Sequence, residues 1–95
     1  MDKVLSNLGL CARARGLVAG TDIVIENLRK KKIYLIFLAS DASENTIKMI
    51  TDKAKYYGVP VDNSYSSVEL SSSVGQVNRM VIGITSAGFV KILRK

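Results

Sequence analysis

Ile33-Tyr34-Leu35-Ile36-Phe37-Leu38-Ala39 is an unbroken apolar run. It is far shorter than the roughly 20 residues a helix needs to cross a bilayer. It also lacks the alternation of a strand with one wet face, so it predicts a central strand, nearly buried from Tyr34 to Ala39 and covered on both sides. Helices must then flank the sheet on both faces, which makes three layers.

Working downstream, Asp41 and Glu44 have capping-box spacing, and Ile47, Ile50, Ala54 and Tyr57 form one stripe of a long helix that Gly58 stops. Val59-Pro60-Val61 reads as a short strand held at an edge by its proline. Within the serine-rich residues 64–73, Ser66 and Glu69 repeat the capping spacing ahead of a short helix containing Leu70. Residues 75–78 read as a loop, 80–84 as a second apolar strand, and 87–93 as a closing helix with Phe89, Val90 and Leu93 for packing. Upstream, Val4, Leu5, Leu8, Cys11 and Ala12 give a first helix ending near Arg15 and Gly16, then a short strand at 17–19. Gly20-Thr21 opens a helix with Val24, Ile25 and Leu28 inward, and with Asp22, Glu26 and Lys30 along a polar line that sets up a Glu26–Lys30 ion pair. The expected fold is α/β, a three-layer α-β-α sandwich around a small mixed four-stranded sheet, with residues 1–95 as a single domain.

With 95 residues there is room for one core. The net charge of +6, with basic residues gathered at Arg13 and Arg15 and again at 29–32, favours polyanions. Cys11, the only cysteine, lies on an apolar helical stripe and reads as a buried, inert thiol. With no histidine and no exposed thiol, the usual general base, metal cluster and nucleophile are missing, so the expectation is no enzyme, no metal and no cofactor. Asp41 follows the central strand, where α/β enzymes place catalytic groups, but its capping spacing accounts for it. Gly16 and Gly20 are not a phosphate loop, because no Gly-Lys-Ser/Thr follows. The polar Ser6 and Asn7 near the amino terminus argue against a signal peptide and for a cytoplasmic location, and no run is long enough for a membrane span. A glycine at a helix start does, however, present unpaired backbone N–H groups suited to a nucleic-acid phosphate, and basic residues flank Gly20 in sequence on either side.

Asp41-Ala-Ser-Glu-Asn-Thr-Ile-Lys-Met-Ile-Thr-Asp-Lys-Ala-Lys-Tyr-Tyr-Gly-Val-Pro60 resembles the L-seven-Ae family of ribosomal and kink-turn-binding proteins, and more closely its small bacterial YlxQ-like branch. Residues 8–13, the Leu17-Val-Ala-Gly20 step, Val74-Gly75, Arg79 and Thr85-x-x-Gly88-Phe89 fall in register, so the resemblance spans nearly the whole chain. It implies an RNA site made from the Gly20 helix start, the turn at Asp41 and Ala42, and the loop from Val74 to Arg79. In the family an Asn-Glu pair and a lysine one turn later read the sheared G·A pairs of a kink-turn, while the loop covers an extruded base. Here Asp22 falls at the asparagine, Ile23 at the glutamate and Glu26 at the lysine; Ser71 and Gln76 replace a glycine and a lysine of the bacterial branch. The expectation is therefore a monomeric, non-catalytic binder of structured, kink-turn-like RNA, with ribosomal RNA among the candidate targets. Gly20 and Thr21 donate backbone N–H groups, Arg15, Arg29 and Arg79 hold phosphates, and Asp22, Gln76, Val77 and Asn78 meet bases. The alternative is a protein-interaction module on the same fold, using the Ile23 surface.

Overall fold

The computed structural model describes residues 2–94. In chain order its elements are α1 (Lys3–Arg13), β1 (Leu17–Ala19), α2 (Thr21–Arg29), β2 (Leu35–Leu38), α3 (Glu44–Tyr57), β3 (Val61–Asp62), α4 (Ser67–Ser73), β4 (Val81–Ile84) and α5 (Ala87–Leu93). The strands form one mixed sheet in the order β1-β4-β2-β3. β4 runs antiparallel to both β1 and β2, with Ala19 opposite Ile82 and Leu38 opposite Val81. β3 lies parallel to β2 at the edge that its neighbour Pro60 favours.

Every residue of β2 and β4 is buried, as the apolar runs require of strands packed on both faces. α2 and α3 pack together over one face, while α1 packs against α4 and α5 on the other. Val24 and Leu28 of α2, Ile50 and Ala54 of α3, and Leu8 and Cys11 of α1 are the inward positions, at 1% exposure or less. Gly83 lets α2 and the Ile33 side chain come down onto the sheet, because a Cβ there would stand 3.3 Å from Val24 Cγ2 and 2.7 Å from Ile33 Cδ1. Burial pushes the Cys11 thiol up to about 11, which keeps it protonated and unreactive at neutral pH. Among the described residues no helix is long and apolar enough to cross a membrane.

Two local expectations need correction. Tyr34 is 47% exposed, because it precedes the covered part of the strand: its amide donates to Ile84 O at 2.9 Å while its ring stays outside. The cap of α3 is Ser43, whose Oγ accepts from Thr46 N, and not Asp41, whose carboxylate is drawn away to α4. The capping box at Ser66 and Glu69 forms as its spacing requires. Gly58 ends α3 in the left-handed region.

Candidate nucleic-acid interface

Because β4 is antiparallel to both β1 and β2, one end of the sheet gathers the residues that follow β1, those that follow β2 and those that precede β4. The start of α2, the turn at Asp41 and Ala42, and the loop from Val74 to Arg79 therefore meet at one pole. Two short backbone bonds seal the junction: Gly20 N donates to Val81 O and Ala39 N to Met80 O, each at 2.8 Å.

Gly20 caps α2 with φ 124 and ψ 145, and no side chain caps that end. The first intrahelical donor is Val24 N, bonded to Gly20 O at 3.1 Å. The amides of Thr21, Asp22 and Ile23 thus have no carbonyl one turn back and remain available as donors. The Gly20 amide is not available, since the sheet already uses it. A side chain at position 20 would be strained, because the φ lies where L residues are disfavoured, and its Cβ would sit 3.3 Å from Arg79 Nη1, close enough that the guanidinium would have to shift.

That close approach defines the site's electrostatics. The Arg79 backbone is clamped by Ser71, whose Oγ accepts from Arg79 N at 2.8 Å and donates to Arg79 O at 3.3 Å. Its guanidinium lies against Gly20, at the positive end of the α2 dipole, and its Nε is buried without a hydrogen-bond partner among the described residues. A cation beside a helix N-terminus is repelled by a few tenths to about 1 kcal/mol, and both features favour an anion between them.

The loop turns through Gly75 at φ 71 and Asn78 at φ 55, with Gln76 N donating to Ser71 O at 2.9 Å. Val77 stands 77% exposed and Val68 75%; with Ser67, Ser71, Gln76 and Asn78 they line an open groove of about 300 Å³. Val74 caps the end of α4 and packs on the core. Asp41 accepts from Ser67 N and Ser67 Oγ, both at 2.7 Å, and these bonds hold its carboxyl below the usual carboxylate value. It ties the β2–α3 turn to the start of α4, with Ala42 tucked beneath. Ile23 is exposed, and Glu26, one turn beyond Asp22, pairs with Lys30 at 3.3 Å.

Two expected members are elsewhere. Arg15 precedes β1 at the opposite end of the sheet, where Gly16 O accepts from Thr85 N and Ser86 N. Arg29 closes α2, roughly 12 Å from its start at 1.5 Å per residue. Sequence reasoning did not assign roles here to Val68 or to the clamp made by Ser71. An exposed valine within a serine-rich helix was a visible signal for the first. The second depends on a bond across eight residues that no local pattern announces.

The ribosomal protein L7Ae/L30e/S12e/Gadd45 family matches residues 2–94. The chain is 43% identical over 86 residues to the RNA-binding protein YlxQ of Bacillus subtilis, covering 90% of this chain and 86% of that one. It is 39% identical over 89 residues to the RNA-binding protein YlxQ of Enterococcus faecium, covering 94% and 85%. A Bacillus halodurans protein described as of unknown function superposes with a TM-score of 0.93 at 34% identity over the full length of both chains. The Giardia lamblia 15.5kD RNA binding protein superposes at 0.84 with 17% identity, over 96% of this chain and 78% of that one, a likeness of fold. With a family match across nearly its whole length and close relatives over most of it, the chain belongs to the ribosomal protein L7Ae/L30e/S12e/Gadd45 family.

Proposed function

We propose that this protein is a monomeric, cytoplasmic, non-catalytic RNA-binding protein that grips a bent, kink-turn-like RNA at the pole formed by the α2 start and the loop before β4. Membership of this family makes the chain a non-enzymatic protein, and the names of its bacterial relatives support RNA as the partner class. The observation that carries the reading is Arg79. A guanidinium whose Nη1 lies against Gly20 and whose Nε has no hydrogen-bond partner among the described residues, beside the first three amides of α2, makes a phosphate cradle. In this reading the amides of Thr21, Asp22 and Ile23 and the guanidinium of Arg79 hold backbone phosphate. The Asp22 carboxylate accepts from guanine or cytosine amino groups. Val77, framed by Gln76 and Asn78, covers a base turned out of the bend, while Asp41 and Ala42 keep the adjoining turn in place. Arg15 and Arg29 act outside this site.

The test is a titration of a kink-turn RNA and a straight duplex of matched composition. Native protein should prefer the bent RNA. Arg79→Gln should weaken binding tenfold or more, since a hydrogen bond to a charged group is worth about 1.5–3 kcal/mol. Equal affinity for both RNAs sinks the bend, and an unaffected Arg79→Gln sinks the cradle. The exposed Ile23 favours a second reading, an apolar protein contact. Binding through phosphates weakens steeply with salt, whereas such a contact does not.

A further inference from the structure

Arg29, Lys30, Lys31 and Lys32 stand consecutively where α2 ends, and the proposed bent-RNA site uses none of them. They lie at the other end of that helix, where α3 also finishes and β2 begins. There an open groove of about 770 Å³ runs between Arg29, Lys31, Tyr34, Tyr56 and Tyr57 over an apolar floor that includes Ile33. No carboxylate is among the residues that line it.

Neither the charge nor the rings are explained by packing. A helix C-terminus carries roughly half a negative charge, which one cation would satisfy. Among the described residues the only ion pair is Lys30 with Glu26, so Arg29, Lys31 and Lys32 remain uncompensated beyond that half charge. Tyr56 is 82% exposed and Tyr34 47%, although aromatic rings gain most from burial. Tyr56 stands edge-on to Tyr57, with ring centroids 4.9 Å apart and planes at 86°, at the rim of the groove.

Exposed ring faces beside unpaired cations are the two components that hold a nucleic-acid strand without reading its sequence: bases stack on the rings and the cations follow the backbone. We propose that this groove is a second nucleic-acid site, which takes single-stranded RNA, with bases on Tyr56 and Tyr34 and phosphates on Arg29 and Lys31. It would hold an unpaired flank or a separate strand at the pole opposite the bend.

The chain has no tryptophan, so its tyrosine emission reports stacking directly, and three of the four tyrosines line this groove. A short oligouridine should quench that emission, with an affinity that falls as salt rises. Tyr56→Ala should weaken binding at least about fivefold, the lower end of what a stacked base contributes. Tyr56→Phe should retain it, and the double variant Arg29→Gln, Lys31→Gln should lose most of it. These side chains lie at the surface, so circular dichroism and melting should be unchanged. Arg79→Gln should leave oligouridine binding as it was. Four results overturn the proposal: no oligouridine binding at low salt, an unaffected Tyr56→Ala, duplex RNA bound as tightly as oligouridine, and a loss in Arg79→Gln equal to that in Tyr56→Ala.

Discussion

Glu26 sets the sharpest test at the scale of one side chain. It stands one helical turn beyond Asp22, where the family resemblance leads to a lysine, and its carboxylate faces Lys30 at 3.3 Å. Replacing an anion by a cation about 6 Å from a phosphate, in a water-like dielectric, changes the interaction by roughly 1.4 kcal/mol, or tenfold at low salt. The helical pair it would break is worth only about 0.3–0.5 kcal/mol, so the fold should hold. Glu26→Lys is therefore expected to bind kink-turn RNA about tenfold more tightly than native protein with little change in melting. Equal affinities in paired titrations would mean that position 26 does not face RNA. The Glu26–Lys30 pair was legible because it needs only four-residue spacing, and so was the burial of Cys11 on its apolar stripe. The setting of Arg79 against Gly20 was not legible, because it needs the β1–β4 register and the Ser71 clamp together. The same register takes the Gly20 amide out of the site, which sequence spacing alone had counted as free.

At the scale of an element, the start of α3 shows where local pattern and tertiary demand part. Asp41-x-x-Glu44 and Ser43 compete for the same cap; Ser43 wins because Ser67, on a different helix, offers the Asp41 carboxylate two short donors. The two positions should respond differently to pH. Asp41 titrates below its ordinary value of 3.8 in the folded chain, chiefly through the Ser67 side-chain bond. Its stabilising contribution is therefore fully present above that unfolded value and is lost as pH falls through the lower folded one. Asp41→Ala should lower the melting temperature near neutrality, and the gap from native protein should close in strong acid. Ser43→Ala removes a cap worth about 1 kcal/mol, and that gap should not close. Parallel pH dependence of the two gaps would argue against the Asp41–Ser67 tie. All nine elements were legible, because each rests on local periodicity, a cap or a stop residue. The errors fall where a neighbour decides: the Asp41 cap, and Tyr34, which the apolar run includes but the ladder leaves uncovered.

On the scale of the whole molecule, the sheet order β1-β4-β2-β3 converts a chain with basic residues on both sides of Gly20 into one whose poles carry different charges. Sequence proximity suggested that Arg15 and the 29–32 run surround the α2 start; topology moves Arg15 to the far end of β1 and helix length moves Arg29 to the far end of α2. The meeting of α2 with the loop before β4 could be expected only from the family resemblance, since no periodicity orders strands within a sheet. This separation has a measurable consequence, because roughly 12 Å along α2 exceeds the Debye length of about 8 Å at physiological salt. Cations at the α2 end should contribute little to RNA held at its start. Each lost phosphate contact lowers the slope of log K against log salt by about 0.7–0.9. On a kink-turn RNA without single-stranded tails, Arg79→Gln should show that reduction, while Arg29→Gln with Lys31→Gln should keep the native slope. If instead the double variant loses slope and Arg79→Gln does not, the bent RNA sits on the tyrosine-lined pole, and the net charge of +6 is deployed in the reverse of the arrangement argued from Arg79.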